Sequence, residues 1–148
     1  LEHCKAKGTL VIHTPNQEQS DVAKGLPWAE KTYPNEQIDI IGIEIGRYDH
    51  NLAAYSALFE CKTSARILMD GWSALRVNSI PNHIQVRKGA IVSLIPFGKV
   101  TGVSLQGCEY SLENASMTTG TQGVSNKAID ATIVVSVQSG DLLLLFER

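Results

Sequence analysis

Apolar and polar positions follow two different rhythms along this chain. Residues 9–14, Thr-Leu-Val-Ile-His-Thr, form a short β-branched run that Pro15-Asn16 ends, which predicts a strand leading into a loop. Ser20 or Asp21 then offers a short oxygen side chain to the open N–H groups of a helix start, and Val22, Leu26 and Ala29 recur near helical spacing behind it. Residues 38–43, Ile-Asp-Ile-Ile-Gly-Ile, predict a second strand, apolar enough to be buried on both faces. A second helix is expected from Asp49 to Cys61, with Leu52, Tyr55 and Phe59 as its apolar stripe, and residues 65–70 close this half as a third strand. Strand, helix, strand, helix, strand is the succession of a parallel sheet with crossover helices.

After Asp70-Gly71 the rhythm changes to short alternating runs, over residues 74–78, 83–87, 90–95, 100–106, 110–112, 131–137 and 142–147. Turns are expected at 87–89, 96–98, 106–107 and 139–141, where Gly, Pro and Asp cluster. No helical pattern interrupts these runs. The second half therefore reads as an antiparallel β-sandwich of jelly-roll type, and the chain divides into residues 1–70 and 71–148.

Composition narrows the possible partners. With 13 Lys plus Arg against 15 Asp plus Glu, the net charge of −2 provides no basic field for nucleic acid or an anionic membrane surface. Cys4, Cys61 and Cys108 lie dozens of residues apart, with no Cys-x-x-Cys and no histidine pair beside them, so neither a disulfide framework nor a zinc knuckle is expected. A reducing, cytoplasmic setting fits this usage. The longest apolar run, residues 142–146, is far short of the ~20 residues that span a bilayer, and no charged-then-apolar leader opens the chain. Because Leu1 is not an initiator Met and a strand is expected almost at once, a preceding N-terminal portion is also expected.

Three stretches carry candidate chemistry. Residues 16–24 lie between a predicted strand and a helix start, where open backbone N–H groups favour anions; Asp21 is suited to Mg²⁺, and Lys24, one turn on, to a phosphate. The plain alternative is that Ser-Asp is only a cap. Residues 42–50 repeat the situation with Arg47 and Asp49, and at the carboxyl end of a parallel sheet the two loops would bring Asp21 and Asp49 to one rim. Here the plain alternative is a surface Arg47–Asp49 contact worth under about 1 kcal/mol. The third stretch combines residues 107–112 with 123–127, small polar residues beside Tyr110 that could hold a flat heterocycle or merely build a hairpin.

Taken in order, these stretches resemble thiamine pyrophosphokinases. Gln17-x-x-Ser20-Asp21-x-x-Lys24 is similar to the family's Asp-Gln-x-x-Thr-Asp-x-x-Lys, and Gly46-Arg47-Tyr48-Asp49-His50 to its Gly-Arg-x-Asp-His. Val92–Pro96, Gly107–Leu112 and Val124-Ser125-Asn126 are similar to its Ser-Leu-hydrophobic-Pro strand, its Gly-x-x-Tyr/Trp-x-Leu and its Ser-Asn pair. The resemblance implies the C-terminal part of a parallel-sheet α/β domain that binds ATP and Mg²⁺, followed by a sandwich that binds thiamine, with the active site between the subunits of a homodimer. The implied reaction transfers a pyrophosphoryl group from ATP to the thiamine hydroxyl, giving thiamine diphosphate and AMP. By position, Asp21 and Asp49 become metal ligands, Gln17, Ser20, Lys24 and Arg47 fall around the nucleotide phosphates, and Tyr110, Ser125 and Asn126 fall at the thiamine end. Such transfer depends on positioning and charge neutralisation and needs no dedicated nucleophile.

The chain departs from the family pattern in three places. The family's Gly-Asp-x-Asp-Ser motif, which would precede residue 1, is missing, Asn16 stands where the first motif opens with Asp, and Ile45 stands where a glycine precedes Gly46. The parent protein is therefore expected to be the kinase and this stretch by itself to be poorly active or inactive, and Asn16 and the missing motif support one rival expectation, a non-catalytic binding or dimerisation module with a decayed nucleotide site. The set Asp21, Lys24, Arg47 and Asp49 speaks for the kinase, since a structural protein has no need of four charged groups at two helix starts. A sugar-binding jelly roll has only the alternating strands behind it.

Overall fold

The computed structural model describes residues 2–15, 18–43, 46–60 and 64–148. In chain order the elements are α1 (Glu2–Ala6), α2 (Asp21–Thr32), β1 (Ile38–Ile40), α3 (Tyr48–Glu60), β2 (Ala65–Met69), β3 (Trp72–Val77), β4 (Asn82–Gln85), β5 (Ile91–Gln106), β6 (Leu112–Met117), β7 (Asn126–Lys127), β8 (Thr132–Ser136) and β9 (Ser139–Glu147). The strands join in the order β1-β2-β3-β9-β5-β8-β4, with β6 and β7 also on β5. Only β1 and β2 pair in parallel among the described residues; the other ladders are antiparallel. The sheet is thus mixed, and the expected parallel character is confined to that first pair.

The apolar run near the C-terminus explains the layers. Side chains alternate across a strand, and in β9 Leu142, Leu144 and Phe146 enter one buried cluster while Leu143 enters another. On one side α2 and α3 supply Ala23, Leu26, Ala54, Ala57 and Leu58. On the other, the far end of β5 and β8 fold back to supply Val103, Leu105, Ile133 and Val135. A strand buried on both faces needs a continuous apolar sequence, which residues 142–146 have.

Several expectations change in detail. Residues 9–14 form no strand: their β-branched composition favours an extended chain, but a strand exists only with a partner ladder, and Leu10 and Ile12 remain exposed. The second strand is shorter than expected and is not buried on both faces, because Asp39 turns outward to pair with Arg66 and Ile41 is 76% exposed. In α3 the buried residues are Ala54, Ala57 and Leu58, and Tyr55 and Phe59 of the expected stripe pack against their cluster half-buried, whereas Leu52 faces solvent. The expected turn at 96–98 is instead the middle of β5, whose 16 residues bridge the two layers. The Leu94 N–H donates to the Gly123 carbonyl at 2.8 Å and the Gly98 N–H to the Thr119 hydroxyl at 2.8 Å. Alternation puts the Pro96 nitrogen on that loop side, away from β9, so its missing N–H breaks no β9 bond. The register shift between Phe97 and Thr101 then bends the strand. The strand expected over 110–112 lies further on, as β6.

Asp70-Gly71, the expected boundary, is a two-residue hairpin turn, Met69 facing Trp72, with Gly71 at φ +69°, a left-handed value that glycine adopts without strain. No helix of the described residues is long and apolar enough to cross a membrane. Leu144→Ala should lower unfolding stability by about 3 kcal/mol in urea titration, the cost of a cavity at a fully buried leucine. Leu10→Ala, at a side chain 68% exposed, should change it by less than about 0.5 kcal/mol.

Candidate functional site

Two concave regions gather the candidate residues. The first lies where α2 begins. Ser20 takes an extended backbone and its hydroxyl accepts from the Ala23 N–H at 3.2 Å, capping the helix and leaving the Asp21 side chain 99% exposed. Lys24, one turn on, reaches back to the Asp21 carboxylate at 2.9 Å, an i, i+3 pair along one face of the helix. The Asp21 carboxyl is held below its ordinary value of 3.8, first by the hydrogen bond from Lys24, then by that ammonium's charge, with a smaller contribution from His50. The field of His50 at Asp21 shows that the starts of α2 and α3 are neighbours. A groove of about 470 Å³ runs between them, lined by Ser20, Asp21 and Lys24 from one start and by His50 and Asn51 from the other.

At the α3 start, Arg47 holds Asp49 in a fork. Its Nε donates to Oδ1 at 3.1 Å and its second terminal nitrogen to Oδ2, while the backbone N–H of His50 also donates to Oδ1, at 3.0 Å. The fork is exposed, with side-chain accessibilities of 74% for Arg47 and 60% for Asp49. Among the described residues, the groove walls include His50 and Asn51 but neither Arg47 nor Asp49. The second helix start therefore shares the rim, while its own ion pair is turned toward itself. No group of three or more His, Cys, Asp or Glu side chains gathers among the described residues. Gln17, Asn16, Ile45 and Cys61 lie outside the described residues.

The second region is a pocket of about 400 Å³ between β5, β6 and the segment leading into β7. Its floor is apolar, with Leu94, Leu105, Leu112 and Met117, and its rim carries Tyr110, Gln122, Ser125 and Asn126. Among the described residues, no charged side chain lines it. Gly123 is required by close approach: a Cβ there would stand 2.5 Å from the Leu94 carbonyl oxygen and 2.8 Å from the Met117 methyl. Ser125 adopts φ +65°, and its N–H donates to the hydroxyl of buried Ser93 at 3.1 Å, which ties this left-handed residue to β5. Tyr110 is 72% exposed over the mouth. Cys108 lies behind this segment, where burial first, and then the Asp130 charge, push its thiol up to about 11 and disfavour the thiolate.

Tyr110, Ser125 and Asn126, separated by up to 16 positions in sequence, are thus brought together, and so are Ser20, Asp21 and Lys24. The pocket floor was not foreseen from the sequence. The apolar positions Leu112, Ala115 and Met117 within 112–117 are its signal, but they follow a broken alternation that does not announce a cavity.

Because Asp49 is held below 3.8, chiefly by the hydrogen bond from Arg47, it stays ionised through neutral pH. Its pairing is lost only as pH falls through that depressed value, as for any carboxylate stabilised in its charged form. Carboxyl-carbon NMR should give an Asp49 midpoint below 3.8 that moves upward in Arg47→Gln; a midpoint unaffected by that substitution would contradict the fork.

Comparison with known proteins points one way. Residues 77–142 match the family described as thiamin pyrophosphokinase, vitamin B1 binding domain, a span that contains all the pocket residues named above. Thiamin pyrophosphokinase 1 of Caenorhabditis elegans is 26% identical over 153 aligned residues, covering 95% of this chain and 63% of its own length. The chain thus spans under two thirds of that curated relative. The crystal structure of thiamine pyrophosphokinase from Bacillus subtilis superposes with a TM-score of 0.83 at 25% identity, over 99% of this chain and 71% of the other. The thiamin pyrophosphokinase structure from Geobacillus thermodenitrificans gives 0.80 at 20% identity, over 99% and 70%, and shares the fold. The chain resembles thiamine pyrophosphokinases over nearly its whole length, as the motifs implied.

Proposed function

We propose that this protein transfers a pyrophosphoryl group from ATP to the hydroxyl of thiamine, giving thiamine diphosphate and AMP. The observation that carries this reading is the uncharged pocket at Tyr110, Ser125 and Asn126, which lies within the span that matches a vitamin B1 binding domain. Thiamine is a flat cation, and it suits an apolar floor and an aromatic rim through stacking and cation–π attraction. The groove between the helix starts suits the other substrate. Lys24 and the open N–H groups of α2 meet phosphate oxygens there, and Arg47 carries a planar fork made for the same chemistry.

Mg²⁺ requires hard oxygen donors and keeps several of its waters, taking one or two carboxylates together with substrate phosphates. Asp21 and Asp49 are ionised, exposed and near the groove, so their chemistry fits; each would exchange its present cationic partner for the metal. When bound, the ion supplies neutralisation of the phosphate charge that builds up during transfer. The chain's own part is to orient. The α2 cap fixes Asp21 and Lys24 on one face, the His50 N–H donating to Oδ1 holds the second carboxylate, and the thiamine pocket fixes the attacking alcohol. In this reading residues 1–70 hold the nucleotide, residues 71–148 hold thiamine, and two copies of the chain complete the site as a cytoplasmic homodimer. The non-catalytic alternative has no comparable observation behind it.

Incubation of the full-length protein, including the segment expected before residue 1, with ATP, Mg²⁺ and thiamine should yield AMP and thiamine diphosphate by chromatography, and no AMP would refute the proposal. Asp49→Asn should lower turnover by roughly 10²–10³-fold, the scale of a lost charge-stabilising group. It should leave the melting temperature nearly unchanged, since the residue is exposed. Tyr110→Ala should weaken thiamine binding by about 1 kcal/mol or more in calorimetry.

A further inference from the structure

Asn126 lines the thiamine pocket, yet its side chain is largely spent inside the protein. Its Oδ1 accepts from the Tyr110 N–H at 3.1 Å and from the Lys127 N–H at 2.9 Å, and its Nδ2 donates to the Tyr110 carbonyl at 2.7 Å. Both lone pairs of the amide oxygen are thereby used, leaving one N–H for anything else. The two bonds to Tyr110 satisfy the donor and the acceptor of a single residue, as a neighbouring strand would.

This pairing is needed because of where Tyr110 sits. It lies between the end of β5 at Gln106 and the start of β6 at Leu112, outside every named strand, and its ring is exposed, so packing does not fix it. The preceding residues do pair: Cys108 bridges Ala128, and the Glu109 N–H donates to the Lys127 carbonyl at 2.8 Å. The ladder would stop there, because the backbone of Asn126 faces Val92 of β5. An amide side chain two bonds from the backbone reaches across the other way and extends the ladder by one residue, to Tyr110.

We infer that Asn126 is a positioning residue that acts through Tyr110, locking the backbone that carries the aromatic ring over the heterocycle rather than gripping the heterocycle itself. The inference rests on the thiamine reading for the identity of the heterocycle, while the clamp on Tyr110 stands on the hydrogen bonds alone. It differs from the role suggested by position in the family motif, in which Asn126 falls among the ligand contacts.

A double-mutant cycle measured by calorimetry with thiamine separates the two roles. Asn126→Ser should weaken binding roughly tenfold, and in a Tyr110→Ala background the same substitution should cost nothing further, because groups acting as one unit are not additive. Equal fold losses in both backgrounds would overturn the clamp. In the chain without thiamine, the Tyr110 amide should exchange with D₂O roughly tenfold faster in Asn126→Ser, as expected when a hydrogen bond worth about a tenfold population factor is lost. Unchanged exchange would also overturn it. If the serine variant fails to fold, Asn126→Asp serves: it keeps both oxygen contacts and loses the bond to the Tyr110 carbonyl, and because its charge acts on the thiamine cation in both backgrounds, the substitution should be roughly tenfold less favourable with Tyr110 present than with Tyr110→Ala, equal effects overturning the clamp. Absence of thiamine binding by the unsubstituted chain would refute the functional reading and the ligand role together, while the exchange measurement would still decide the clamp.

Discussion

In β9 the side chains of Leu142, Leu144 and Phe146 enter one core and that of Leu143 another, so this strand must be covered on both sides. The coverings differ in kind. Helices α2 and α3 lie on one face, and on the other the sheet folds back through the bend in β5. The placement of both concave regions follows. The groove opens where the two covering helices begin, and the apolar pocket opens where β5 and β6 diverge. A burial requirement in one strand thereby sets which surfaces are left for chemistry.

The two regions are built to opposite electrostatic rules. The groove and its rim carry ionised groups already paired in the resting protein, Asp21 with Lys24 on the wall and Arg47 with Asp49 beside it, at helix starts where water keeps the cost of exchanging partners low. The pocket carries no charge, and its polar groups are tied into the backbone, Ser93 to Ser125 and Asn126 to Tyr110. A neutral, rigid cavity recognises shape and a π-face, which suits a substrate whose cation is delocalised in a ring.

The same contrast explains why the residues differ in how they tolerate change. Asp21, Arg47 and Asp49 stand exposed at helix starts, so altering them should leave the fold intact. Around the pocket, fold and function share atoms: Gly123 permits the approach of Leu94 and Met117, and Ser125 holds a left-handed turn anchored on β5.

Local chemistry was legible in the sequence. The Ser20 cap, the helices from Asp21 and from the Asp49 region, the strand 65–69, the Asp70-Gly71 turn and most sandwich strands depend on neighbours within a few residues. The candidate site residues were legible for the same reason, as short motifs beside those elements. What needed the tertiary structure was every feature decided by a distant partner. Residues 9–14 have strand composition but no ladder, Leu52 has stripe spacing but lies off the buried face, and Pro96 reads as a turn but lies within a strand that keeps its bonds to β9. Asn126 shows the limit most directly: the sequence placed it beside a binding site, and only the fold, by giving its backbone to β5 and its side chain to Tyr110, assigned it a task. Spacing along the chain encodes which hydrogen bonds are near, and long-range pairing decides which of them are made.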